Sequence, residues 1–96
     1  MIDPTFIILY QKNPDGIAMK EIVDMLYTAV TKKQYDYLNI ILGRINFNRL
    51  DDVIIVAILR TTFEVRDKLK HWEGFHAKAK KKLTGTNMEK HLLALA

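Results

Sequence analysis

Residues 51–69 read DDVIIVAILRTTFEVRDKL, and the way this stretch folds decides the class of the whole chain. The β-branched cluster at 53–56 would suit a strand, because Val and Ile pack well on a pleated surface. The apolar pattern, however, continues through Phe63 to Leu69 and carries a helical stripe, which is too long for a strand. Asp51 or Asp52 stands where a helix N-cap is expected. Arg60, Glu64 and Lys68 follow at one-turn steps, so Glu64 can meet either basic neighbour on a solvated face. The early part is apolar all round, as a helix enclosed by others must be. The stretch is expected to form one helix over 52–69 at the centre of the domain.

Working outward, IAMKEIVDMLYTAV at 17–30 places Met19, Ile22, Val23, Leu26, Tyr27 and Val30 three and four positions apart. Lys20, Glu21 and Asp24 fall off that stripe, so an amphipathic helix is expected. Thr31 can cap the next helix, KKQYDYLNIILGRI at 32–45, whose stripe is Tyr35, Leu38, Ile41, Leu42 and Ile45. Tyr27, Tyr35 and Tyr37 form a local aromatic concentration, expected to pack at a helix corner or to offer an interface anchor. NFNRL then breaks the pattern. At the N-terminus, TFIILY is strand-like by propensity. Asp3 and Pro4 nonetheless form a cap and first-turn pair, and no partner strand is evident, so a short helix is preferred. NPDG at 13–16 is a turn in either case.

On the C-terminal side, HWEGFHAKAKKKL at 71–83 holds four lysines within five positions, Lys78, Lys80, Lys81 and Lys82. On a helical wheel Trp72, Phe75, His76, Ala79 and Leu83 share one sector. Lys78, Lys81 and Lys82 flank that sector and Lys80 lies near its other edge. The expected arrangement is carbon inward and ammonium outward. Lysines in a last turn also complement the unpaired carbonyls there. Gly85 suits a left-handed cap, and Thr86 with Glu89 has capping-box spacing for a last short helix that buries Met88, Leu92 and Leu95. The fold expected is a single all-α domain over 1–96: a compact bundle or array of four to five short helices, with a short N-terminal strand as the alternative to the first helix.

Composition narrows the chemistry. The 96 residues contain no cysteine and no serine, so neither residue type can supply a nucleophile, and no thiolate metal site can form within the chain. His71, His76 and His91 show no metal-ligand spacing, and the phosphate-loop and dinucleotide glycine patterns are absent. No base-and-orienter set is visible, so neither catalysis nor a cofactor is expected. The longest apolar run, VIIVAIL, has seven residues, whereas a membrane-spanning helix needs about 20. The N-terminus lacks the order of a signal peptide. A soluble cytoplasmic protein without membrane association is the expectation.

The formal net charge is +4, and residues 1–48 carry five basic and five acidic side chains, so the whole surplus lies in the second half. A one-sided basic surface in a chain without a catalytic set points to a small interaction or adaptor module. The binding residues expected are Arg66, Lys70, Lys78, Lys81 and Lys82, with Tyr35 and Tyr37 as apolar anchors and an acidic protein as the partner. Nucleic acid, held mainly through phosphates, is the rival reading. A structural subunit or homo-oligomer is the third.

Overall fold

The computed structural model of the protein describes residues 4–95, and all regular structure in that range is helical. The described residues form six α-helices: α1 (Pro4–Lys12), α2 (Met19–Thr31), α3 (Tyr35–Arg44), α4 (Asp52–Thr62), α5 (Trp72–Leu83) and α6 (Glu89–Leu93). Short 3₁₀ segments at Pro14–Gly16, Phe47–Arg49 and Phe63–Lys68 join them. The all-α class expected from the pattern is therefore observed, with five helices of two turns or more and a short sixth. None is long and apolar enough to cross a membrane among the described residues.

α4 buries Ile55, Val56, Ile58, Leu59 and Thr62. It packs chiefly on α2, whose buried positions Ile22, Leu26 and Ala29 follow a helical repeat. The main packing runs in the order α1, α3, α2, α4, α5, α6. Asp51 is the N-cap of α4 and has extended backbone, with its carbonyl accepting from Ile55 N at 3.0 Å. Its carboxylate makes no cap hydrogen bond.

The central helix is shorter than the sequence suggests. The α-helix stops at Thr62 and the chain continues as 3₁₀ to Lys68, with Val65 off helical geometry at φ −111°, ψ 16°. Thr62 explains the break. Its buried hydroxyl donates to Ile58 O at 2.7 Å and accepts from the Trp72 indole N–H at 2.8 Å. A threonine bonded back to the preceding turn often bends a helix; here the added bond from the docked Trp72 indole accompanies the bend that delivers α5 to the core. The charge ladder goes with it: Glu64 pairs with neither Arg60 nor Lys68. The ion pair found among the described residues joins Arg49 to Asp15 at 3.6 Å.

Two further expectations fail at helix ends. Thr31 does not open α3. It is the last residue of α2, and its hydroxyl donates to Tyr27 O at 2.9 Å. α2 closes in a Schellman motif, with Gln34 N donating to Ala29 O at 2.8 Å and Lys33 N to Val30 O at 3.2 Å. Lys33 takes the left-handed conformation, φ 58°, that this motif requires. The Thr86–Glu89 capping box is also absent: Thr86 Oγ1 accepts from Met88 N at 3.3 Å rather than from Glu89 N, and its hydroxyl donates to Leu83 O at 2.7 Å. Gly85 does adopt the left-handed cap, φ 83°. The Asp3 cap lies outside the described residues, although α1 begins at Pro4 as expected.

Tyr27 is 65% exposed rather than part of the α2 core stripe. The Ile22–Leu26–Ala29 face turns it outward, about 100° from Leu26. The enclosed tyrosine is Tyr10 of α1, whose hydroxyl donates to Ile41 O at 2.8 Å and so fastens α1 to α3. Burial pushes its phenol well above the ordinary range. An Arg44 guanidinium N–H donates to Gln11 O beside it.

Candidate functional site: a basic groove between the α3–α4 connection and α5

The connection from α3 to α4 is short and folds tightly. Asn46 Oδ1 accepts from Asn48 N at 3.2 Å, forming a local turn. Between them Phe47 folds against α5 and meets the Phe75 ring edge-on, 5.3 Å between centroids at 78°. Edge-to-face contacts of this kind favour one ring orientation, so the Asn46–Asn48 turn is held at a fixed distance from the helix.

α5 behaves as its wheel predicts. Trp72, Phe75, Ala79 and Leu83 are buried, His76 is half-buried, and all four lysines are exposed. Lys78, Lys81 and Lys82 line one side of a groove of about 610 Å³ whose other side is the Ile45–Asn48 turn. The groove lining contains no carboxylate. It combines three ammonium groups, two carboxamides and the apolar surface of Ile45 and Phe47. Lys82 is partly engaged: its Nζ donates to Leu50 O at 3.0 Å and lies 5.6 Å from the Phe47 centroid. Lys78 and Lys81 make no hydrogen bond or ion pair with the described residues.

A smaller recess of about 220 Å³ opens beside the groove and shares Ile45, Phe47 and Lys78 with it. Lys70 and His71 bring further donors there, and Gly43 and Gly74 contribute bare backbone. The segment carrying Lys70 is fixed by Asn39 of α3, whose Oδ1 accepts from Lys70 N at 2.8 Å and whose Nδ2 donates to Lys68 O at 3.3 Å.

The remaining sequence-derived site residues stand apart from these two linings. Arg66 folds back on its own 3₁₀ segment, with its guanidinium 3.9 Å above the Phe63 ring and Nη1 donating to Phe63 O at 2.7 Å. Tyr35 and Tyr37 are half-buried and border a separate hollow of about 350 Å³ that also contains Lys33 and Asp36. Lys68 lies over the Tyr35 ring at 5.4 Å. Lys80 sits on the far side of α5, near His76. The His76 imidazole stacks on Trp72, 4.9 Å between centroids at 12°. Burial, and secondarily the Lys80 charge, hold it below the ordinary histidine range.

Sequence reading missed the Ile45–Asn48 turn as a site component. The available signal was an aromatic residue between two asparagines, in a segment that otherwise looked like a simple helix break. No three metal-ligating side chains converge among the described residues. Comparison with protein-family models, with curated proteins and with solved structures gives no match to this chain.

Proposed function

We propose that the protein is a non-catalytic recognition module that receives an acidic segment of a partner protein in the groove between Asn46–Asn48 and α5. The observation that carries this reading is the lining itself: three lysines, two of them unengaged, without a carboxylate to neutralise them. An acidic side chain entering the groove meets only attraction, while Ile45 and Phe47 offer carbon surface to an apolar neighbour in the same segment.

Exposed ion pairs contribute about 0.2–1 kcal/mol each. Charge therefore selects the partner and speeds encounter more than it sets affinity, and apolar contact with Phe47 must add to it. A peptide reading also fits the aromatic residues of α5 better than a nucleic-acid one. Trp72 and Phe75 are each 6% exposed, so neither offers the open ring face on which bases stack.

The test is the binding of a fluorescent Glu-rich peptide with one central Leu, followed by anisotropy as ionic strength rises. Affinity is expected to fall with salt. Lys78→Gln with Lys81→Gln is expected to weaken it about fivefold, from roughly 1 kcal/mol of lost attraction. Lys82 is left in place because its bond to Leu50 O is structural. Salt-independent binding, or wild-type affinity in the double variant, would count against the groove.

A further inference from the structure

We infer that the recess beside the groove is a phosphoryl subsite, so that the acidic segment recognised by the protein is a phosphorylated one. This rests on the acidic-segment reading and adds the chemical group that the recess takes. Lys70, His71 and Lys78 supply donors from three positions around one small volume of about 220 Å³, and no carboxylate lines it. A phosphoryl group carries close to two negative charges and three strong acceptor oxygens, whereas a glutamate presents one charge and two oxygens in a plane. Three donor-bearing side chains around one volume match the first better than the second.

The recess is also built rather than incidental. Asn39 clamps the backbone on both sides of Leu69, at Lys68 O and Lys70 N, and so fixes where Lys70 and His71 begin. Gly43 explains how His71 is seated. A Cβ at position 43 would stand 2.9 Å from His71 Nε2, so the imidazole occupies the space that any other residue of α3 would fill. Glycine inside a helix costs about 1 kcal/mol relative to alanine, and here it gives the ring its place. At Gly74 a Cβ would meet nothing within 4 Å, which leaves that wall open. Lys78 belongs to both linings, so a phosphorylated residue in the recess would be followed directly by acidic neighbours along Lys81 and Lys82.

The experiment compares three labelled acidic peptides that differ at one position, phosphoserine, glutamate or serine, together with a single-stranded oligonucleotide of the same net charge. The phosphoserine peptide is expected to bind about tenfold more tightly than the glutamate peptide. Lys70→Ala with His71→Ala should abolish most of that preference, weakening the phosphoserine peptide several-fold more than the glutamate peptide. Both side chains are exposed, and circular dichroism checks the fold. Gly43→Ala, which displaces only the imidazole, should reduce the preference part-way. Equal binding of the phosphoserine and glutamate peptides, or a preference that survives Lys70→Ala/His71→Ala, overturns the subsite and leaves the acidic-segment reading standing. Failure of all three peptides to bind overturns both. An oligonucleotide that binds more tightly than the phosphopeptide overturns the assignment to a protein ligand.

Discussion

Single side chains decide several features of this fold that pattern alone leaves open. Thr62 is the clearest. It is wholly buried, joins the Trp72 indole to the Ile58 carbonyl, and stands where the central helix bends. Thr62→Val keeps the shape and leaves the indole N–H without an acceptor, so thermal or urea unfolding should show a loss of about 1–3 kcal/mol. His76 gives a pH signature. Its folded-state pKa lies below the ordinary 6.5, first because of burial against Trp72 and then because of Lys80. The unfolded chain therefore takes up this proton more readily than the folded one. The His76 contribution is complete above the unfolded value and is lost as pH falls from there through the lower folded value. Unfolding free energies measured from about pH 7 to 5 should decline less steeply in His76→Gln than in the wild type; identical slopes would mean that His76 titrates freely. The α5 sector, His76 included, was legible because five positions obeyed one period. The Thr62–Trp72 bond was not, because a hydrogen bond between residues ten apart across a bend leaves no periodic trace.

At the scale of elements, the helices themselves were readable and their ends were not. Ile22, Leu26, Leu38, Ile41, Leu42, Phe75 and Leu83 sit in the core where the stripes put them, since burial and a 3.6-residue period act together over several turns. Helix termini depend on one or two residues, and there sequence preference can be overridden. α2 ends at a left-handed Lys33, a conformation that glycine would normally mark. Without that mark, Thr31 looked like the start of a helix. The structure predicts opposite effects at the two left-handed caps. Lys33→Gly should raise stability by about 0.5–1 kcal/mol by relieving the strained φ, and Gly85→Ala should lower it by about 1 kcal/mol. Melting temperatures of the two variants check both signs. The break after α4 follows the same logic. The apolar pattern ran on to Leu69, but a local hydroxyl–backbone bond and a docked indole outweighed the continuous helix.

For the molecule as a whole, the one-sided charge of the sequence becomes a specific place. Lys78, Lys81 and Lys82 would be an ordinary solvated helix edge by themselves. They become one wall of a groove because the Phe47–Phe75 contact brings the Asn46–Asn48 turn alongside. The lysines were visible in sequence as a cluster. Their opposite wall was not, because it lies some thirty positions earlier and only tertiary packing unites the two. Tyr35, Tyr37 and Arg66, singled out by residue type, line other parts of the surface. The most direct test is an amide NMR titration of the ¹⁵N-labelled protein with the acidic peptide at low salt. The groove account predicts shifts concentrated at residues 45–48 and 78–82 that fade as salt is added. Shifts centred on Tyr35, Tyr37 and Arg66, with residues 45–48 unmoved, would contradict it.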